Sequence, residues 1–345
     1  MGRLHLLSHT ARALALGLLL VLPAGPALAQ DAAACDAGLR LFEDRLLVGG
    51  ALCVPDVPSR PAFLDDMVIH ALELGIPSVA RQYYSDVIVA DFPGLAPGLD
   101  PATTVDLGRP WEMSGEALLA AEPDLVVSSP WLEAANAYAG DIAPTLILDT
   151  DEAESWRDTP RLLARLFGKE TQQAALEAGV DARVAAFRDA LDKAGVGRSF
   201  SFTQVEDASS FWTFTADAFG PEFALAAGLE LGASIPTPEV AATMPGGSSV
   251  ALPVSQENLA FIDADHLFFY ANLGSDAEDL VRDNAVFQRF AAARPGRIHF
   301  LEGEYWFRSS ASSAHRILDD LYRAVLGVDP ESVAPNPMAW TYRTD

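Results

Sequence analysis

The fold turns on residues 170–193, ETQQAALEAGVDARVAAFRDALDK. Gly179 is the one residue here that a helix interior disfavours, and no proline interrupts the run. Leu176, Val180, Val184, Phe187 and Leu191 recur every three to four residues, which is the period of one helical face. At 1.5 Å per residue such a helix runs roughly 36 Å, about the diameter of a small domain. Gly195 and Gly197 follow and end it. A mid-chain helix of that length reads either as a bridge between two lobes or as a long surface helix within one.

On both sides of it, strand-like and helix-like stretches alternate, the pattern of α/β layers. Before it come a strand ending at 63–64, a helix over 66–74 closed by Gly75, a strand starting at 77–79 and a helix over 114–121. Strands at 125–128 and 145–148 follow. Segment 91–101, rich in Pro and Gly, is either a connection or a ligand-contacting loop. Ser114, Glu116, Leu118 and Asp124 recur as Ser255, Glu257, Leu259 and Asp265, at the same offsets and each time ahead of an apolar strand. The repeat reads as an N-capped helix feeding a buried strand, used once on each side of the long helix. Together these features predict an α/β protein: two similar α/β lobes joined by one long α-helix, with a ligand cleft between the lobes. The lobes are placed at 36–168 and 195–330, the linking helix at 169–194 and a tail at 331–345.

Residues 1–29 read as a signal peptide, with Arg3 and Arg12 ahead of an apolar run over 13–22 and Ala27-Leu28-Ala29 before Gln30. The mature chain is then expected in the periplasm, a compartment where disulfides persist. Cys35 and Cys53, the only two cysteines, flank a hairpin-like segment with Gly49-Gly50 at its turn. They read as a disulfide, or as two buried thiols; lipidation of Cys35 ranks second because no Leu stands just before Ala32-Ala33-Ala34.

Twenty-three Lys and Arg face 48 Asp and Glu, a formal charge of −25, which argues against nucleic acid and anionic membrane surfaces as partners. His70, His266, His299 and His315 lie beyond the signal segment at no mutual ligand spacing, so no metal site is expected. No Gly-x-Ser-x-Gly, His-Glu-x-x-His or P-loop sequence occurs, so no catalytic residue is assigned and the chain reads as a non-enzyme.

Three stretches carry a family resemblance. They are Val105-Asp106-Leu107-Gly108 leading to Glu116, Val254-Ser255-Gln256-Glu257 leading to Phe269, and Ala293-Arg294-Pro295-Gly296-Arg297-Ile298. The last leads through Trp306-Phe307 to His315 and Leu318-Asp319-Asp320-Leu321. Their order resembles the periplasmic binding proteins that serve ABC importers of ferric siderophores and cobalamin, the ferric-hydroxamate-binding group most of all. Departures occur at Pro110, Ser249 and Arg308, where that group has arginine, tryptophan and tyrosine.

The resemblance implies a monomeric binding protein that captures an Fe(III)–siderophore chelate, hydroxamate type favoured, and needs no cofactor. Its implied partners are an inner-membrane permease and its ATPase, with Glu116 and Glu257 docking on arginines of the two membrane subunits. Cobalamin or haem are alternatives on the same frame, haem calling for an axial group such as Tyr83, Tyr84 or Tyr305. An exported siderophore esterase or hydrolase is the reading from another class, and the missing nucleophile elbow counts against it.

A siderophore cleft needs aromatic walls for the linkers and donors for the chelating oxygens. The expected ligand-facing residues are Arg81, Tyr83, Tyr84, Arg109, Trp111 and Trp131 in the first half. In the second they are Trp212, Phe214, Trp306 and Arg308, with Trp306 favoured as the aromatic facing the ligand.

Overall fold

The computed structural model describes residues 35–82, 91–92, 95, 98–100, 102–272 and 275–337. The expected signal peptide, Tyr83 and Tyr84 lie outside the described residues. The described chain begins with a hairpin in which β1 (Leu39–Glu43) runs antiparallel to β2 (Ala51–Pro55). β1 stops at Glu43 because the Leu46 N–H donates to Asp44 Oδ1 at 2.8 Å, turning Leu46 and Leu47 into the core. Gly49 and Gly50 then take φ of +90° and +78°, backbone that side chains resist.

A Cys35–Cys53 disulfide closes the hairpin. Loop entropy for a closure of 18 residues is about 3 kcal/mol. Cys35→Ser with Cys53→Ser is therefore expected to lower the urea-unfolding free energy by about that amount. An unchanged midpoint would show that the hairpin is held by packing alone.

The first half is a parallel sheet. β3 (Pro61–Phe63), β6 (Leu125–Ser128) and β7 (Thr145–Ile147) lie side by side in the order β3-β6-β7. β4 (Ala80–Arg81) and β5 (Val105–Asp106) pair separately, and the Val79 N–H donates to Pro61 O at 3.0 Å to join them to β3. The second half holds a larger sheet. Its parallel part is β8 (Ser199–Val205), β10 (Glu230–Leu231), β12 (His266–Ala271) and β13 (Ile298–Phe300); β9 (Ser210–Phe214) and β11 (Ala251–Ser255) extend it antiparallel.

Successive side chains of each strand serve opposite faces. Phe268 and Tyr270 enter a core that also takes Phe63, Leu125 and Val127 from the first half, whereas Leu267 and Phe269 fill a separate outer cluster. From Cys35 onward the chain is one compact unit with that shared core.

The linking helix spans Glu170–Ala194, as its periodicity predicts, and ends on Gly195 at φ +63°. Its buried face differs from the apolar stripe. Gln173, Glu177 and Arg183 are buried beside Val180, Phe187 and Leu191, while Leu176 and Val184 are only partly covered. The reason is ionic: the helix is tied on both sides. Arg161, from the first-half helix Asp158–Phe167, donates from Nε to Glu177 Oε1 at 2.8 Å and from NH2 to Oε2 at 2.5 Å. Arg183 pairs with Asp319 at 2.5 Å and donates to His315 O at 2.9 Å, both on the second-half helix Ala311–Leu326.

The repeat is structural, though its first element differs between copies. Ser114 caps helix Gly115–Ala120 by accepting the Ala117 N–H at 3.1 Å. After Ser255 the chain forms a 3-10 turn over Gln256–Ile262 with Asn258 out of helical geometry, and Ser255 caps nothing, which corrects the expected second N-capped helix. What both copies keep is the aspartate. Asp124 Oδ2 accepts the N–H and hydroxyl of Ser59 at 2.6 and 2.8 Å; Asp265 Oδ2 accepts those of Ser199 at 3.1 and 2.7 Å. In each half the carboxylate pins the start of the neighbouring parallel strand.

Candidate functional site

Between the halves lies a cleft of about 230 Å³ lined by Asp65, Asp66, Trp131, Asn272, Glu304, Phe307 and Arg308. Asp65 follows β3, Trp131 follows β6, Asn272 follows β12 and the 304–308 loop follows β13. Parallel strands all end on one side, so their outgoing loops converge there, and α/β sheets bind ligands at that end.

Asp65 organises the first wall. It sits at φ +56°, a left-handed conformation that Asp tolerates better than most residues, and its N–H donates to Gln82 Oε1 at 2.6 Å. Its Oδ2 accepts the Trp131 ring N–H at 2.6 Å and the Ser129 hydroxyl at 3.0 Å, which orients the half-exposed Trp131 ring. Burial, and then the charge of Asp66, push the Asp65 carboxyl up to about 6, against those hydrogen bonds.

The second wall is Phe307, 49% exposed, above Arg308, whose side chain is almost covered. Arg308 spans the halves: NH1 donates to Asp66 Oδ1, and NH2 donates to Glu304 Oε2 at 2.7 Å. Further buried ties lie behind it. The Glu304 N–H donates to Asp91 Oδ2 at 3.0 Å, and the Ser312 N–H donates to Glu73 Oε1 at 2.6 Å. A side chain at Gly303 would put its Cβ 2.1 Å from Asp91 Oδ1 and so displace the carboxylate that holds the Glu304 N–H. Burial pushes the Asp91 carboxyl up to about 6 and raises that of Glu73.

Of the expected ligand-facing residues the cleft gathers Trp131 and Arg308. Trp306 does not face it, contrary to expectation. Its ring is fully buried, packed on Phe202 and Phe268 at centroid distances of 5.2 and 4.7 Å, and its N–H donates to Asp320 Oδ2 at 2.8 Å. Helix Phe219–Ala226 meets it through Gly220, where a Cβ would lie 2.5 Å from Trp306 O. Phe214 is likewise a core residue, 3% exposed against Phe202 and Tyr270.

Trp212 is held by Glu206 at 2.9 Å, and Arg81 pairs with Asp106 at 3.0 Å, neither lining the cleft. Arg109 and the half-exposed Trp111 stack together at 5.8 Å on the turn Pro110–Glu112, also outside the lining. Tyr305 turns inward, its hydroxyl donating to Asp320 at 2.8 Å, so it presents no axial oxygen to the cleft. Glu116 and Glu257 are exposed in the first turn of their two elements.

Sequence reasoning missed Phe307, Asp65, Asp66, Asn272 and Glu304. One more acid among 48 gives no signal. Phe307 was legible only as the neighbour of a tryptophan that needs a buried acceptor, and Asp320 on the following helix is that acceptor.

Solved structures share the fold. The Fe3+–Desferal-bound siderophore-binding protein FhuD of Vibrio cholerae superposes with a TM-score of 0.63 at 20% identity, over 79% of this chain and 99% of that one. A periplasmic binding component of a Fep/Fec-like ferrichrome ABC transporter from Bacillus subtilis gives 0.65 at 19% identity, over 82% and 99%. Staphylococcus aureus SirA complexed with staphyloferrin B gives 0.63 at 19% identity, over 84% and 99%. No curated protein matches the chain by sequence. Residues 83–305 match the family described as periplasmic binding protein. That span covers well over half of the sequence and takes in Trp131, Asn272 and Glu304 of the cleft: the chain belongs to the periplasmic binding protein family.

Proposed function

We propose that the protein is the exported solute-binding component of an ABC importer, which captures a ferric siderophore between its halves and hands it to a membrane permease. The observation that carries this reading is a cleft at the strand ends lined by two half-exposed rings, Trp131 from one half and Phe307 from the other. Rings so placed bury the linkers of a chelate while polar neighbours meet its oxygens. The neighbours that hold Fe3+–Desferal and staphyloferrin B support it. Hydroxamate chelates are favoured, the protein acts as a monomer without turnover, and the mature chain works in the periplasm after loss of residues 1–29.

Titrating the purified protein with ferric siderophores, haem and cobalamin, and following tryptophan fluorescence, tests the reading. Trp131 borders the cleft, so a ferric chelate should quench saturably. Phe307→Ala is expected to weaken that binding at least tenfold, about 1.4 kcal/mol, while leaving the melting temperature within a degree or two. Equal affinity in the variant would remove Phe307 from the site.

Glu116 and Glu257 are proposed to dock on the two permease subunits. An acid in a first helical turn also favours the helix dipole by about 0.3–1 kcal/mol. The two roles separate experimentally. Glu116→Ala with Glu257→Ala is expected to leave chelate affinity intact while uptake by cells collapses, and charge reversal to Arg should be worse. A lower melting temperature with normal uptake would favour the dipole role.

A further inference from the structure

The charge of the cleft carries a statement about which chelate it accepts. Among the described lining residues there are three carboxylates, Asp65, Asp66 and Glu304, and one guanidinium, Arg308. That guanidinium is already engaged: its NH1 donates to Asp66 and its NH2 to Glu304. Those bonds offset its charge and the side chain is almost covered, so it offers little to an anionic ligand. Asp66 and Glu304 are in turn answered by Arg308, which leaves Asp65 as the lining carboxylate whose hydrogen-bond donors, among the described residues, are all neutral, the Arg308 charge reaching it only through space. These donors are the Ser129 hydroxyl, the Trp131 ring N–H and the Asp66 backbone. Two carboxylate oxygens offer about four lone-pair sites, one more than these described donors take. The aromatic ring of Trp131 lies beside that carboxylate, and its face also attracts cations. The formal charge of −25 on the whole chain acts in the same direction at longer range.

We propose that the cleft selects chelates that are neutral or cationic overall, and that Asp65 is the specificity-determining residue, pairing with a protonated amine of the ligand beside the Trp131 ring. This rests on the siderophore-binding reading above. It adds the charge class and the residue that reads it, and it sets α-hydroxycarboxylate chelates, which carry net negative charge, outside the ligand range.

The test compares three iron complexes: a linear ferric trihydroxamate with a terminal primary amine, the same complex with that amine acetylated, and ferric citrate. Wild-type protein is expected to bind the amine complex at least tenfold more tightly than the acetylated one, with ferric citrate weakest. The preference should shrink as salt rises, a readout that requires no variant. Asp65→Asn keeps shape and tolerates the positive φ. It is expected to bring the amine and acetylated complexes within twofold of each other, the ratio being the readout because any change in how Trp131 is held acts on both complexes alike. Tight binding of ferric citrate by the wild type, or an amine preference that survives in Asp65→Asn, overturns the charge selection but leaves siderophore capture standing. Failure of all three complexes to bind overturns both.

Discussion

Trp306→Ala is expected to lower the unfolding free energy by about 3–5 kcal/mol, the range for truncating a fully buried large aromatic. The ring fills the space between Phe202 on β8, Phe268 on β12 and Gly220, none of which can move in to replace it without shifting backbone. The loss also removes one of two side-chain donors to Asp320, the other being the Tyr305 hydroxyl at 2.8 Å. Burial already pushes the Asp320 carboxyl up to about 6, and losing a donor raises it further. Raised carboxyl values carry a definite sign: the folded state holds a proton that the unfolded chain, near 3.8, has released. Stability therefore falls as pH rises from about 4 toward 6, and the variant should fall over a wider window than the wild type. Urea melts at pH 5 and pH 7.5 check both statements. A variant that keeps wild-type stability but loses chelate binding would return Trp306 to the ligand wall.

Arg183→Met should be as costly, about 3–5 kcal/mol, because it leaves the mostly covered Asp319 without its counter-charge, held among the described residues only by the Asn336 amide at 3.2 Å. It also strips donors from His315 O and Ala334 O, so the linking helix loses these polar ties to helix Ala311–Leu326 and keeps apolar packing such as Phe187 on Tyr322. The paired change Arg183→Met with Asp319→Leu should recover most of the loss, since removing both charges of a buried pair is far milder than removing one. His315 supplies a pH signature. Burial first, and then the Arg183 charge, lower its imidazole to about 3 from an ordinary 6.5. Below 6.5 the unfolded chain takes up a proton that the folded one refuses, so this contribution to stability is full above 6.5 and is lost as pH falls toward 3. Without the Arg183 charge the imidazole is less depressed, and the acid loss should flatten. An identical slope of urea midpoint against pH in wild type and variant would exclude the coupling.

Features written in local sequence were legible before any tertiary contact was considered. The periodicity of 170–193 defined the linking helix to within a residue of its observed end at Ala194, and Gly195 marks its stop. The two cysteines 18 positions apart around a glycine turn defined the stapled hairpin. The Ser, Glu, Leu and Asp offsets revealed the repeated halves, because each offset reports a nearby turn or strand start. The family resemblance also pointed to the loop after β13, which lines the cleft through Glu304, Phe307 and Arg308.

Which of its side chains enters the cleft was decided elsewhere. Trp306 and Phe307 are equally apolar neighbours; one turns inward because Asp320, Gly220 and the rings of β8 and β12 receive it, and the other is left half-exposed. Arg308 looked like a ligand donor, but Asp66, 242 residues earlier, occupies one of its nitrogens. Asp65 became the organising carboxylate only when parallel pairing brought Trp131, 66 residues away, to the same strand end. Local periodicity is set by backbone geometry within a few residues. The direction and charge of a cleft side chain are set by partners that meet only when the two halves close around one core.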